Sequence, residues 1–322
     1  MFLLRSFPGP RAACALLLAS LLAACGGGSS GSGDGSAAAV SPAEAPAAAG
    51  FTLFLPLTDL LPPLVPPTAS EDHSARCGTD GLICLRWVEA RLAEWEARFG
   101  CDHRAVFPTV YRMLTRQARL QMERDAASYD DPAGLGYEAV KFYELYEEMI
   151  SAQMAGEPLP PAWETAMSAA VDGDWTGAHD MLLAINAHVQ RDMPFAVASV
   201  GIGLPDGRSR KRDHDRFNIV LNEAYPDIVR EVGRRYDPLM LTVADLGLVG
   251  NLAAQQLVAV WREGVWRNAE RLTVSDGTAL DAPTRTSIEL QAEAAARLLK
   301  VGEIPGRRAM REAYCQAALA AG

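Results

Sequence analysis

The chain has 322 residues, 49% of them hydrophobic, and a formal net charge of −10 at pH 7. This excess of acidic side chains argues against nucleic acid as a partner, because nucleic acid is bound by basic protein surfaces. The length is sufficient for one large domain or two modest ones.

The first 24 residues have the pattern of an export signal. Arg5 and Arg11 give a short basic start, and an apolar run over 12–22 follows, which is too short to span a bilayer. The run leads into Leu-Ala-Ala-Cys at 22–25, followed by glycines and serines. This segment resembles the lipobox of bacterial lipoproteins, which implies cleavage before Cys25 and acylation of its thiol, as with palmitate. The alternative is an ordinary secretory signal with an Ala-x-Ala cleavage site.

Lipidation of Cys25 predicts an exported protein whose membrane partner is reached through its acyl chains. Each buried CH₂ group contributes about 0.8 kcal/mol to such anchoring. Gly26 resembles the residue that permits transport onward, which favours the outer membrane or another periplasmic face. Loss of the signal, which carries two arginines and no acidic residue, changes the net charge from −10 to −12. The most apolar later stretch, 239–260, contains Asp245 and is predicted to be a buried helix rather than a membrane span.

Four segments of different composition follow one another along the chain. After the signal over 1–24, residues 25–50 are almost entirely Gly, Ser, Ala and Pro, which predicts a flexible tether. Residues 51–76 are apolar but interrupted by prolines, and we predict an extended strap lying on the folded domain. Residues 77–322 are predicted to form one all-α domain of about eight helices, since no stretch shows period-two alternation.

The helical part of the chain begins near residue 82. Asp174 is predicted to cap a long helix that continues to Ser199, and Pro226 is predicted to split or kink its region. In chain order, the predicted helices cover 84–100, 106–120, 137–154, a short stretch opened by Pro160 and Pro161, 174–199, 213–224, 226–236, 238–271, 286–300 and a last helix that carries Cys315.

Four cysteines remain after the signal and the lipidated residue, an even number that suits an oxidising compartment. A helix over 84–100 would hold Cys84 and Cys101 about 25 Å apart, too far for a disulfide. Cys77 is near Cys84 in sequence, so the favoured pairs are Cys77–Cys84 and Cys101–Cys315. The alternatives are four free thiols or a zinc site, and the lack of a Cys-x-x-Cys pair argues against zinc.

A histidine and a carboxylate interrupt the apolar stripe of the helix over 174–199. His188 and Asp192 are four residues apart and therefore share one helix face. Buried polar groups are costly unless they are paired or bind a ligand. The spacing also lets both side chains reach one metal ion. His179 is expected to lie on the opposite, exposed side.

A second polar group begins the next predicted helix. His214 is expected to face inward, with Asp213 and Asp215 at the positive helix start. Because only a turn separates the two helices, we expect His214 to approach His188 and Asp192. These five side chains would bind one divalent metal (Zn, Fe or Mn) or form a metal-free acid–base cluster. Alternatively, His188 and Asp192 form a structural pair and one of the flanking carboxylates caps a helix.

Two further features point less specifically to a functional site. Asp245, inside the most apolar predicted helix, is either another ligand or relay, or a satisfied core carboxylate. The one basic cluster of this acidic chain either attracts an anionic substrate or forms a solvated loop. It consists of Arg208, Arg210, Lys211, Arg212 and Arg216.

Both polar blocks resemble the core of a known bacterial family. Residues 186–194 read Asn-Ala-His-Val-Gln-Arg-Asp-Met-Pro, and 205–218 contain Pro-Asp-Gly and then Asp-His-Asp-Arg-Phe-Asn. They are similar to an uncharacterised domain-of-unknown-function family (family 5995) over about residues 80–300. The resemblance implies a shared all-helical domain and supplies no reaction. The domain would be built around Asn186, His188, Asp192, Asp213 and His214.

Three functional hypotheses follow. The first is a membrane-tethered, extracytoplasmic hydrolase, in which His188, Asp192 and His214 are catalytic. With Asp213 or Asp215 they would hold a metal that activates water toward a small anionic or ester substrate. The second is a non-catalytic binding or envelope-structural lipoprotein with a buried His/Asp network. The third is a metal-dependent oxidase, because histidine and carboxylate ligands also suit iron.

Overall fold

The computed structural model describes residues 61–244 and 247–321, with side chains described over 61–242 and 256–320. The predicted signal, Cys25, the tether and the first part of the strap lie outside the described residues. Asp245 lies outside them as well.

The fold is all-α, as the sequence predicts, and the described residues contain one isolated β-bridge and no strand. In chain order the helices are α1 (Ser74–Cys77), α2 (Leu82–Phe99), α3 (Val106–Asp125), α4 (Pro132–Ala155), α5 (Pro161–Asp172), α6 (Gly177–Asn186), α7 (Met193–Val200), α8 (Lys211–Arg235), α9 (Leu239–Ala244), α10 (Gly247–Ser275), α11 (Asp281–Leu299) and α12 (Arg307–Ala321), with 3₁₀ turns at His103–Ala105 and Ala126–Ser128 and a π-helical segment at Ala187–Asp192.

Two helix boundaries differ from those expected. The N-cap of α6 is Thr176 rather than Asp174, and the Thr176 hydroxyl accepts the backbone N–H of His179. Helix α8 runs unbroken past Pro226, although an interior proline removes one backbone hydrogen bond. The turns after Pro226 bury Val229 and Val232 in the core, and this packing outweighs the local preference to break.

The π-helical segment lies at the centre of the domain. It contacts α4, α5, α10 and α11 in addition to α6 and α7, which flank it. Around it, α2 packs on α3 and α4, and α8 packs on α3 and α10. The central segment is therefore enclosed by helices drawn from most of the chain. No helix in the described part is long and apolar enough to cross a membrane.

Both predicted disulfides are confirmed. Cys77–Cys84 joins α1 to the start of α2, with Cα atoms 4.9 Å apart. Cys101–Cys315 joins the end of α2 to α12 across 214 residues, with Cα atoms 5.7 Å apart. The domain is thus closed by a covalent link between its first long helix and its last.

Residues 61–72 contain no helix and are held to the domain by hydrogen bonds. The backbone N–H of Leu64 donates to Glu270 Oε1 (2.8 Å), and the Ser70 hydroxyl donates to the carbonyl of Gly203 (2.6 Å). A Cβ atom at Gly203 would lie 2.0 Å from the carbonyl oxygen of Thr68. Only glycine lets the chain pass this closely.

Candidate active site

His188 and Asp192 both lie in the π-helical segment between α6 and α7. The N–H of Met193 donates to the carbonyl of His188, five residues earlier. Pro194 follows at once and has no N–H to donate, which interrupts the regular α-helical ladder at this point. Single π turns within α-helices are frequent at functional sites, so the backbone itself marks this segment.

Asp192 is fully buried and accepts three side-chain hydrogen bonds. Its Oδ2 accepts from His188 Nδ1 and from Trp163 Nε1, each at 2.9 Å, and its Oδ1 accepts from Arg191 at 2.7 Å. An ionised carboxylate only accepts, so His188 Nδ1 carries the proton and Nε2 holds the lone pair. Asp192 therefore fixes both the tautomer and the orientation of the imidazole.

Aromatic rings enclose the His188 side chain, which is only 2% exposed. Phe142 stacks on the imidazole with ring centroids 3.4 Å apart and planes 10° apart. Burial lowers the pKa of His188, against the opposing effect of Asp192, so the ring is neutral at pH 7. The remaining rings around it are Phe107, Tyr111, Tyr146 and Trp163, with centroids 5.0 to 6.0 Å away.

Three polar atoms of this aromatic cage have no hydrogen-bond partner among the described residues. They are Nε2 of His188 and the hydroxyl oxygens of Tyr111 and Tyr146. Leaving a buried polar group unbonded costs about 1–3 kcal/mol, and such groups are uncommon in proteins. Burial raises the pKa of Tyr111 well above its usual value, so its hydroxyl keeps its proton and remains a donor.

His214 lies on α8 and faces α10. Its Nε2 donates to the carbonyl of Arg262 (3.0 Å), and its ring centroid is 5.4 Å from that of Trp266. Burial, reinforced by the charge of Arg262, lowers the pKa of His214 well below its usual value. None of these residues is among the hydrogen-bond or ring contacts of His188. The two histidines therefore lie in separate environments.

The two carboxylates beside His214 are used in other contacts. Asp213 accepts the backbone N–H groups of Asp130 and Asp131 at 2.9 and 2.8 Å, just before α4. Asp215 pairs with Lys211 at 2.5 Å. Within the described part of the chain, no group of three or more His, Cys, Asp or Glu side chains is placed to hold one metal ion. The five-residue metal set therefore stays a prediction.

Acidic side chains surround the basic cluster. Arg212 pairs with Asp130 at 2.8 Å, and Arg210 lies 3.6 Å from both Asp131 and Glu138. Arg208 pairs with Asp206 (2.8 Å), Lys211 also contacts Glu263 (3.0 Å), and the guanidinium of Arg216 lies over the ring of Tyr129. Pairing within the chain offsets much of the positive charge of this cluster.

The expectation that His179 is exposed is wrong. The residue is buried, Nδ1 lies 2.7 Å from the Thr176 hydroxyl, and Nε2 lies 2.8 Å from the carbonyl of Val301. Its neighbour Asp180 is also buried and pairs with Arg311 (2.7 Å), which reaches His103 as well. The sequence analysis missed this second cluster because its members, His103, Asp180 and Arg311, are far apart in the chain. The one feature that could have indicated it from the local sequence is the inward position of Asp180 on α6.

Comparison with known proteins places most of the domain in one family. A model described as a family of unknown function (DUF5995) matches residues 85–301. No curated protein matches the chain, and no solved structure does.

Proposed function

The chain belongs to this family of unknown function, and we propose from the geometry of its site that it is a hydrolase in which His188 is the general base. One observation carries the proposal: a fully buried, neutral imidazole has Nδ1 fixed by a carboxylate while Nε2 has no partner among the described residues. A carboxylate that orients a histidine in this way is the arrangement used in acid–base catalysis.

The reaction that this arrangement supports is hydrolysis of a small ester. Nε2 of His188 takes a proton from water as the water oxygen bonds to the carbonyl carbon. The carbon–oxygen bond to the leaving alcohol then breaks, and the imidazolium returns the proton to that oxygen. Asp192 stabilises the imidazolium in between, and the hydroxyls of Tyr111 and Tyr146 are donors suited to the developing oxyanion. Since the ring is buried, substrate entry requires movement of a cage side chain.

A metal-assisted form of this proposal uses the same histidine. A histidine whose Nδ1–H is held by a carboxylate also has the outer-shell geometry common in metal sites. One divalent ion (Zn, Fe or Mn) on Nε2 of His188 would activate water or, as iron, support an oxidase. Because His214, Asp213 and Asp215 have other partners in this structure, their binding to the same ion, with or without Asp192, would require rearrangement of these contacts. A non-catalytic lipoprotein is the outcome if neither activity nor metal is found.

The sequence of residues 1–25 supports export and lipid anchoring at a bacterial membrane. Growth with labelled palmitate would then label the mature protein, and the Cys25→Ala variant would carry no label. Equal labelling of both proteins would contradict a lipid on Cys25.

The hydrolase is tested with the mature full-length protein and a panel of p-nitrophenyl carboxylic and phosphoric esters. We expect turnover of at least one carboxylic ester, and a loss of about 10²-fold or more in His188→Gln. His179→Gln is the matched control, because His179 is equally buried but has both nitrogens bonded. Circular dichroism establishes that both variants fold.

Two results would decide against this proposal. An unchanged rate in a folded His188→Gln variant would exclude His188 as the base. Stoichiometric metal in the purified protein, lost in both His188→Gln and His214→Gln, would instead favour the metal-assisted form. Elemental analysis of the natural protein and of the His188→Gln and His214→Gln variants gives this second readout.

A further inference from the structure

Arg191 is the cation that pairs with the buried Asp192 carboxylate. Its guanidinium donates to Asp192 Oδ1 at 2.7 Å, whereas His188 and Trp163 donate to the other oxygen, Oδ2. Because His188 and Trp163 are neutral donors, Arg191 supplies the one positive charge that the described residues place within ion-pair distance of Asp192. A buried carboxylate is costly without such a charge.

Glu289 of α11 holds the Arg191 side chain in this position. Adjacent residues of a helix do not face each other, so Arg191 reaches Asp192 only when its side chain bends along the helix surface. Its Nε donates to Glu289 Oε1 at 2.8 Å, and its guanidinium lies 5.7 Å from the ring centroid of Phe195, one turn further on. These two contacts fix the bend and connect the π-helical segment to α11.

The three groups of this buried site balance in charge. The arginine is positive, the carboxylate is negative, and the imidazole is neutral because Nδ1 carries its one proton. The Glu289 side chain is 28% exposed, so water stabilises part of its charge. Burial is the first cause of the lowered pKa of His188, and the positive charge of Arg191 lowers that pKa further. Arg191 therefore opposes a second proton on the ring.

Loss of the guanidinium would leave the buried site with a net negative charge. Uptake of one proton restores neutrality, which an apolar interior favours. In one resulting form, His188 is an imidazolium beside an ionised Asp192. In the other, a protonated Asp192 donates to Nδ1, and the single ring proton lies on Nε2. Both forms carry a proton on Nε2 and therefore have no lone pair there.

We propose that Arg191 is a positioning residue for His188, which keeps the lone pair on Nε2 through its charge and its hydrogen bond to Asp192. Glu289 aims Arg191 at that carboxylate. The inference rests on the proposed role of His188 as the general base. Arg191 acts through Asp192, on the oxygen opposite to the one that holds the histidine. Through Glu289, the position of α11 influences the reactivity of His188.

The test is a long-range ¹H–¹⁵N NMR spectrum of the histidine rings at pH 7, recorded on the full-length mature protein and its variants. We expect Arg191→Gln to lose the signal of an unprotonated Nε2 of His188, and Arg191→Lys, which preserves the charge, to keep it. Arg119→Gln is the matched control and should also keep it. The Arg119 side chain is 18% exposed against 16% for Arg191, and it also pairs with two carboxylates, those of Glu89 and Glu123.

The role of Glu289 has its own readout in the same samples, the Nε–H signal of Arg191. In Glu289→Ala this N–H loses its acceptor, so its exchange with water should become faster. Glu293→Ala, one turn along α11, removes a carboxylate that pairs with Arg297, and the exchange should stay unchanged. Equal exchange in Glu289→Ala and the natural protein would show that Glu289 does not hold Arg191.

Two outcomes would overturn the proposal for Arg191. An unprotonated Nε2 in folded Arg191→Gln would show that the lone pair does not depend on Arg191, and loss of that signal in Arg119→Gln as well would show an unspecific effect. If Arg191→Gln does not fold, Arg191→Met, which keeps the aliphatic stem, takes its place. These spectra do not depend on turnover, so a lack of ester hydrolysis would count against the proposed function alone.

Discussion

At His188, burial and hydrogen bonding act differently on the two ring nitrogens. Asp192 holds Nδ1, while Nε2 is left among aromatic rings without a partner in the described structure. Trp163 and Arg191 hold the carboxylate in turn. The dyad is therefore positioned by side chains from α5 as well as by its own π-helical segment.

Replacing Trp163 by Phe should destabilise the protein by about 1.5–3 kcal/mol, because it removes one hydrogen bond to the buried Asp192 carboxylate. Urea unfolding of both proteins measures the free-energy difference. Trp87→Phe is the control, since Trp87 is 43% exposed and surface changes usually stay within about 0.5 kcal/mol. Equal losses in the two variants would mean that the Trp163–Asp192 hydrogen bond adds nothing.

Local patterns could predict the inward position of His188 and Asp192, because helical spacing alone places them in an apolar stripe. The same reasoning could not bring His103, Asp180 and Arg311 together. His103 and Arg311 are 208 residues apart, and their contact depends on how α12 packs beside the 3₁₀ turn that carries His103. The separate environment of His214 has the same cause. A short loop keeps α7 and α8 close along the chain, but it does not determine which side of α8 faces His188.

At the scale of elements, α12 is tied to the rest of the domain by a covalent link. Cys315 ties it to the end of α2, and Arg311, one turn earlier, enters the buried cluster with Asp180. The cysteine pairing was predictable because a straight helix excludes Cys84–Cys101. The continuity of α8 through Pro226 was not, since it depends on tertiary packing that no local propensity contains.

Removing the two disulfides should have unequal effects. In the chain-entropy model, a link across 214 residues contributes about 5 kcal/mol and one across 7 residues about 2 kcal/mol. The double Cys→Ser variant at positions 101 and 315 should therefore lose more stability than the double variant at 77 and 84. Thermal or urea unfolding measures both, and an equal or reversed order would refute this expectation.

For the whole molecule, all five histidines have lowered pKa values. Burial is the first cause for each of them, and it lowers the pKa of His103 to about 4. Below pH 6.5 the unfolded chain binds protons at histidines that the folded protein leaves neutral. Three carboxyls act in the opposite direction, because burial raises their pKa: Asp180 (to about 6), Glu138 and Asp213.

With five histidines against three carboxyls, the unfolded state should bind more protons between pH 6.5 and about pH 5. The free energy of unfolding should therefore fall as the pH is lowered from 7.5 to 5, by about 1.4 kcal/mol per pH unit for each net proton. Denaturant unfolding at several pH values measures this slope, and His103→Asn should make it shallower. A stability that is constant or rises toward pH 5 would contradict the neutral, buried state of these histidines.

The central claim, that Asp192 fixes His188 with a free lone pair on Nε2, is tested most directly by a long-range ¹H–¹⁵N NMR spectrum of the histidine rings at pH 7. Comparison with His188→Gln assigns the signals. The account predicts that Nδ1 of His188 is the protonated nitrogen and Nε2 the unprotonated one, and that this neutral tautomer persists below pH 6.5. A proton on Nε2, or an imidazolium at pH 7, would contradict it, because His188 would then have no lone pair with which to act as a base.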